Sequence, residues 1–354
     1  MSVLDLVRPS LAGLSPYKAA EQVVDTVRLN ANESPFDTAS ENFRRPLNRY
    51  PEIRPQRLRQ LLASRFSCRN DQLLVTRGSS EAIDLLIRAF CTADRDNIIV
   101  TSPTFSMYAH YAMVQGAEVR DVPLNADSDF TLDEAALADA VDEHSKLIFL
   151  CSPNNPTGTS LSRDTIERVL EIARGRAAVV VDEAYIEFSE AESITELLQT
   201  CEHLVVLRTL SKALAFAGAR CGAVMADPTL IGVLDAIQSP YALSTPVVEC
   251  VEDALTGDNI QRAEEQVSLL VSERERLRTE LQALGTVTHI WPSDANFLLV
   301  EFADVQKVLE ATRDAGVLLR YFGGELASCA RISIGTAEEN DAMLAAVRST
   351  EATQ

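Results

Sequence analysis

No apolar run in the sequence approaches the roughly 18 residues that a membrane-spanning helix needs, so no span is expected. The first residues, MSVLDLVRPSLAGLSPYKAA, lack the basic start, long apolar stretch and small-residue cleavage site of a secretory signal; a cytoplasmic protein is expected. Positive charge is scarce. Against 52 Asp and Glu stand 32 Lys and Arg, a formal net charge of −20. That balance argues against a nucleic-acid surface, where basic patches would dominate. It speaks to solubility and leaves room for a few arginines buried inside an acidic shell. Paired cysteines are missing too. The seven present, at positions 68, 91, 151, 201, 221, 250 and 329, are scattered and include no CxxC. They point to reduced thiols packed as small apolar residues, not to a disulfide framework or a zinc site, and no metal is expected. There is no internal repeat and no low-complexity stretch.

The 354 residues exceed one average domain, and with 46% hydrophobic residues they can bury a sizeable core, so one large and one smaller lobe are expected. Between about 73 and 227, strand-like and helix-like segments alternate. The strand candidates are LLVTRG (73–78), NIIVTSPT (97–104), KLIFLCSPNNPTG (146–158), AAVVVDEAY (177–185), LVVLRTLSK (204–212) and CGAVMAD (221–227). Their apolar runs are continuous, as in strands covered on both faces. SSEAIDLLIRAF puts Ile83, Leu86, Ile87 and Phe90 on one helical face. DTIERVLEIARG opens with Asp164 and Glu167 at capping-box spacing and closes on Gly175. A largely parallel α/β sheet with right-handed crossovers follows. After about residue 250 comes a long charged helix (roughly 259–284), then ANFLLVEF, a helix near 304–315, VLLRYFG and RISIGT, an α+β texture. The expected division is an arm over 1–45 packing on the small domain or a partner, a large domain over 46–250 and a small domain over 251–354.

Four polar clusters fall at carboxyl ends of strands: Thr76-Arg77-Gly78, Pro153-Asn154-Asn155-Pro156, Asp182-Glu183 and Thr209-Leu210-Ser211-Lys212. In open α/β sheets that edge binds ligands. Each cluster has two readings. Lys212 can be a solvated lysine, or a Schiff-base lysine whose partly dry strand end lowers its pKa. Arg220 can pair with any carboxylate, or grip a phosphate in fork geometry for on the order of 1.5–3 kcal/mol. Asp182 is either a cap or a carboxylate held against a ring nitrogen, with Tyr185 a donor to the same ring. Asn155 sits in a string that forms a tight turn or a binding loop. Ser79 and Ser80 open a helix whose free N–H groups suit a phosphate, or they merely cap it.

All of these fall in the order that one cofactor site requires, and the chain resembles the fold-type-I aminotransferases, most closely their histidinol-phosphate branch. The resemblance is carried by LNANESP (29–35), RYPE (49–52), RGSSEAIDLLIRAF (77–90), SPTFSMY (102–108), CSPNNPTG (151–158), VDEAYIEF (181–188), RTLSKALAFAGARCG (208–222), LSTP (243–246), ANFLLV (295–300) and RISIGT (331–336). It implies a mostly parallel seven-stranded sheet in the large domain, a smaller α+β C-terminal domain, and pyridoxal 5′-phosphate as cofactor. Lys212 would carry that cofactor and shuttle the proton. Asp182 would pair with the pyridine nitrogen, Asn155 and Tyr185 would hold the ring hydroxyl, and Tyr108 would stack on the ring. Ser79, Ser80, Thr209, Ser211 and Arg220 would hold the phosphate. Tyr50 would reach the cofactor of a neighbouring subunit, which implies a homodimer with shared sites. Arg320 and Arg331 would bind the substrate's anionic end, since a guanidinium fork fits the carboxylate of glutamate and a phosphate ester alike. Tyr17 and Asn32 match arm positions that close over the substrate; the alternative is arm packing.

The chain departs from the family at Ser80, where an acidic residue is usual, and at Phe105-Ser106, where Tyr-Gly is usual. The expected reaction is amino transfer between L-histidinol phosphate and 2-oxoglutarate, giving imidazole acetol phosphate and glutamate. The alternatives are an aromatic amino-acid aminotransferase, a decarboxylase of threonine phosphate, and a non-catalytic cofactor-binding module.

Overall fold

The computed structural model describes residues 2–18, 22, 28–37 and 43–351. From the N-terminus the elements are α1 (Gln56–Arg65), β1 (Leu73–Thr76), α2 (Gly78–Phe90), β2 (Asn97–Val100), α3 (Met107–Gln115), β3 (Glu118–Asp121), α4 (Glu134–Ala140), β4 (Ser145–Cys151) and α5 (Arg163–Ala173). Then follow β5 (Ala178–Asp182), β6 (Leu204–Thr209), β7 (Gly222–Met225), α6 (Pro228–Ile237), α7 (Thr245–Ala254) and α8 (Asp258–Gln282). The chain ends with β8 (Val287–Ile290), β9 (Phe297–Phe302), α9 (Val305–Asp314), β10 (Arg320–Gly323), β11 (Leu326–Ser333) and α10 (Ala337–Ser349). Among the described residues no helix is long and apolar enough to cross a membrane.

β1 to β7 form one sheet in the order β1-β7-β6-β5-β4-β2-β3, with β7 antiparallel to both neighbours and every other pairing parallel. β5 shows why these segments are strands. Its β-branched run suits a pleated surface, and successive side chains take opposite faces: Val179 and Val181 enter one core, Ala178 and Val180 the other. All four are fully buried. Ile83, Leu86, Ile87 and Phe90 of α2 fill the second of these cores, as the helical spacing predicts. β3 was not among the strand candidates, and its sequence explains the omission. EVRD is a partly exposed edge strand with no apolar run to mark it.

The smaller sheet is antiparallel, in the order β10-β11-β9-β8, and packs under α8, α9 and α10 around Leu277, Leu298, Val300, Ile332 and Leu344. The expected break at 250/251 moves into α8. Val248 and Val251 of α7 and Ala263 of α8 belong to the large core, whereas Leu277 and Leu281 of α8 belong to the small one. One 25-residue helix therefore serves both lobes.

Within its own chain, the described parts of the arm contact the large lobe. Val3 and Leu6 are buried with the α2 and α6 residues of the large lobe, and Arg8 N donates to Ala89 O at 2.9 Å. Arg44 N and Arg45 N donate to the Glu249 carboxylate at 2.9 and 2.8 Å. Both ends of the arm thus dock on the large lobe rather than the small one. Residues 19–21, 23–27 and 38–42 of that arm lie outside the described residues. The cap of α5 is Ser162, whose Oγ accepts from Thr165 N at 3.1 Å, and not Asp164. Glu167 pairs with Arg163 instead.

Candidate functional site

The register lays Cys151, Asp182 and Leu207 side by side at the carboxyl ends of β4, β5 and β6. Because these strands run parallel, the loops that follow them open on one edge. Asn155, Tyr185 and Lys212 lie on those loops, and Ser79 and Ser80 join them from the start of α2. Together with Asp182, Thr209, Ser211, Arg220, Arg320 and Arg331 they line one cavity of about 670 Å³.

One end of the cavity is an anion cradle. The first N–H groups of α2 have no intrahelical acceptor, and the helix dipole adds positive potential there. Gly78 sits at φ +73°, and a Cβ built on it would lie 2.8 Å from Arg220 Nη2. The guanidinium therefore crosses directly over the helix start, in space that only glycine leaves open. Arg220 is itself left-handed (φ +54°), and its Nη1 donates to Ser211 Oγ at 3.4 Å and to Ala217 O at 3.2 Å. Thr209 Oγ1 in turn donates to Ser211 Oγ at 2.9 Å. Two hydroxyls, a fork and a helix N-terminus converge there, the donor set that a phosphate takes.

Asp182 is 2% exposed and accepts two hydrogen bonds, from Tyr108 Oη at 2.9 Å and from Ala184 N at 3.2 Å. Burial raises its carboxyl to about 6, and these two donors hold it back from rising further. Lys212 lines the cavity as an exposed residue, and its Nζ has no hydrogen bond or ion pair among the described residues. It lies 5.5 Å from the centre of the Tyr185 ring. Desolvation, then the positive charge of Arg331, lower its pKa against the opposing pull of Asp182. The Tyr185 hydroxyl is pushed up, mainly by burial, and stays protonated.

The far wall comes from the small lobe. Arg320 and Arg331 are cross-strand partners on β10 and β11. Arg331 lies over the Phe297 and Phe322 rings, at 5.1 and 5.6 Å from their centres, and its Nη1 donates to Asn155 Oδ1. Its Nε is buried without a partner. Desolvation, then Arg320, lower its pKa, so an anion there would relieve both effects.

Tyr108 does not line this cavity. It is fully buried, with its ring stacked on Phe149 at 4.7 Å, so it offers no free face to a ligand. From this segment the aromatic side chain on the wall is Phe105, three residues earlier, beside Thr104 and Ser106. The sequence signal for it was present in SPTFSMY, but α3 begins only at Met107, so Phe105 stays in the loop while Tyr108 turns inward. Phe322 was also missed, although it sits in the RYFG string. Three further expected residues lie outside the cavity of their own chain. Tyr50 is 49% exposed and stacks on Tyr241 with ring centres 4.6 Å apart. Tyr17 is 57% exposed, and Asn32 is an exposed residue at φ +54°. All seven cysteines are free.

The chain belongs to the class I and II aminotransferases, whose family model matches residues 13–347. Within that family it is 44% identical to the histidinol-phosphate aminotransferase of Stenotrophomonas maltophilia, with 98% of this chain and 96% of that one covered. It is 43% identical to the enzyme of the same name from Xylella fastidiosa, over 99% of this chain and 98% of the other. Among solved structures, the histidinol-phosphate aminotransferase of Sinorhizobium meliloti in complex with pyridoxal-5′-phosphate superposes with a TM-score of 0.76 at 23% identity, covering 86% and 83% of the two chains. The fold is that of the fold-type-I transferases.

Proposed function

We propose that the chain transfers an amino group between L-histidinol phosphate and 2-oxoglutarate, with pyridoxal 5′-phosphate as cofactor, yielding imidazole acetol phosphate and L-glutamate in histidine biosynthesis. The observation that carries this reading is the convergence of Lys212, Asp182 and the Asn155–Arg331 pair on a cavity that ends in the Gly78–Arg220 cradle. Those residues fit the cofactor. The cradle takes its phosphate, Asp182 meets its ring nitrogen, and Asn155 Nδ2, which makes no hydrogen bond among the described residues, and the Tyr185 hydroxyl are donors for its ring hydroxyl. Phe105 takes the stacking place first expected of Tyr108. When bound, pyridoxal phosphate supplies an aldehyde that joins amines reversibly and a ring that withdraws electrons from the amino carbon.

Desolvation and the charge of Arg331 hold Lys212 Nζ below the ordinary lysine range, which favours the neutral nucleophile more than a free lysine would. With the cofactor bound, the same atom would be the base that takes the proton from the substrate carbon. With its carboxyl at about 6, Asp182 is mostly ionised at neutral pH, and a positive ring nitrogen opposite it would favour that ionised form. Its charge keeps that nitrogen protonated. Arg331, with its orphaned Nε, and Arg320 beside it receive the anionic end of either substrate. A planar fork accepts a carboxylate and a phosphate ester equally, which supports one site for both. The names borne by relatives at 43–44% identity over nearly the whole chain support the histidinol-phosphate substrate. The same reading includes a homodimer, in which the exposed Tyr50–Tyr241 stack of one copy faces the cavity of the other.

The test is a substrate panel on purified, cofactor-loaded protein, followed through the cofactor's absorbance in the first half-reaction. Turnover of histidinol phosphate with 2-oxoglutarate is expected. Brisk activity on phenylalanine alone would move the chain to the aromatic enzymes. Carbon dioxide release without need of an oxo acid would make it a decarboxylase.

A further inference from the structure

Resting on that reading, we propose that Tyr108 is a positioning residue: its buried hydroxyl fixes the Asp182 carboxylate in the orientation that grips the cofactor's ring nitrogen. The geometry is specific. Tyr108 Oη donates to Asp182 Oδ2 at 2.9 Å while Ala184 N donates to Oδ1 at 3.2 Å, so each oxygen is tied by its own donor. The terminal torsion of an aspartate is broad and roughly two-fold. Two donors on separate oxygens remove that freedom, and with one removed the carboxylate can swing on the remaining backbone bond.

Tyr108 is held as firmly as the group it holds. Its ring lies nearly parallel to Phe149 (4.7 Å, 13°) and meets Phe105 edge-on (5.6 Å, 83°). A fully buried hydroxyl must find an acceptor inside the protein, and Asp182 is that acceptor. The other titratable groups near Asp182 do not replace it. Glu183 is turned away toward Ser193, Ile194 N and Arg208. The Cys151 thiol donates to Pro153 O and burial pushes it up to about 12, so it carries no charge. Tyr185 stays neutral, and Lys212 acts on Asp182 through its charge without a hydrogen bond. Among the described residues, Tyr108 is the one side chain that donates a hydrogen bond to Asp182.

The test uses the full chain with Tyr108→Phe, which removes one oxygen and keeps the ring packing. The apoprotein is titrated with pyridoxal phosphate and, separately, with 1-deazapyridoxal phosphate, which has a C–H in place of the ring nitrogen. The expected result is a roughly 10-fold weaker dissociation constant for pyridoxal phosphate, the scale of a lost charge-assisted hydrogen bond. The deaza analogue should bind the variant and the parent alike, and kcat should fall while KM for glutamate moves little. Unchanged affinity for pyridoxal phosphate would overturn the proposal. So would equal weakening of both compounds, since that marks a packing role. Asp182→Ala separates the two levels. If it too leaves pyridoxal phosphate affinity and turnover intact, the proposed function fails and this inference with it. If it is damaging while Tyr108→Phe is silent, the inference alone fails.

Discussion

Replacing Gly78 with alanine should separate backbone strain from ligand binding at the anion cradle. At φ +73° an L-residue is in the left-handed region, which costs roughly 1–2 kcal/mol of stability. The new methyl would also lie 2.8 Å from Arg220 Nη2 and 3.4 Å from its Cζ, where about 3.5–4.0 Å is the comfortable separation. The guanidinium must therefore retreat by on the order of 0.7–1.2 Å. That stretches a phosphate contact of about 2.8 Å beyond the useful range of a charge-assisted bond. Losing one such bond corresponds to about 1.5–3 kcal/mol, or roughly 10- to 100-fold in cofactor affinity. Gly175→Ala is the matched control, because Gly175 has a similar φ of +71° with nothing within 4 Å of its added Cβ. Thermal melting of the two apoproteins should show similar losses. Fluorescence titration with pyridoxal phosphate should show weakening in Gly78→Ala alone. If Gly78→Ala binds the cofactor like the parent chain, the cradle has been assigned to the wrong residues.

Borohydride treatment of the loaded protein should fix the cofactor's mass on the parent chain and leave Lys212→Ala unmodified; an active Lys212→Ala variant would contradict the assignment. The rate at which apoprotein takes up pyridoxal phosphate covalently should rise with pH and level off above the lowered pKa of Lys212. Arg331→Gln removes the largest neighbouring charge that lowers this pKa, so the profile should move to higher pH; no movement, or a downward one, would refute the coupling. The carboxyl of Asp182 is raised to about 6 from 3.8, so folding favours its protonated form relative to the unfolded chain. Its contribution to apoprotein stability is therefore complete below about 3.8 and is lost as pH rises through 6. Asp182→Asn, whose amide the Tyr108 hydroxyl can accept by turning, should stabilise the apoprotein above pH 6, by on the order of a few kcal/mol. That advantage should vanish near pH 4, as read by urea unfolding at both pH values, and an equal effect at both would argue against a titrating Asp182.

The strand ends were legible because two signals coincide there. Continuous apolar runs such as Ala178–Val181 mark strands covered on both faces, and polar residues at their carboxyl ends have no packing reason to be there. What escaped the sequence was direction. In SPTFSMY two aromatic residues stand three apart, and composition cannot say which faces the ligand; the answer depends on α3 starting at Met107, which puts Tyr108 into the core. The lobe boundary was hidden for a related reason. The charged pattern of α8 continues unbroken while its buried partners change from the large core at Ala263 to the small one at Leu277.

Several of the roles expected from the sequence depend on surfaces brought together from a distance. Tyr17, Asn32 and Tyr50 lie outside the cavity of their own chain, so any part they take in binding must be completed by movement of the arm or by a second copy. Arg331 illustrates the same dependence within one chain. It is carried on β11 of the small sheet, yet its side-chain hydrogen bond runs to Asn155 on the loop after β4. A substrate anion that takes hold of Arg331 therefore competes with Asn155 for the guanidinium, and releasing Asn155 frees its amide oxygen beside the ring hydroxyl it is proposed to hold. On the proposed function, occupancy of the anion site and the setting of the cofactor's ring would be coupled through that bond. Asn155→Ser, which shortens the reach to Arg331, should accordingly alter KM for both anionic substrates together with cofactor affinity. A change confined to cofactor affinity would mean that the two sites are independent.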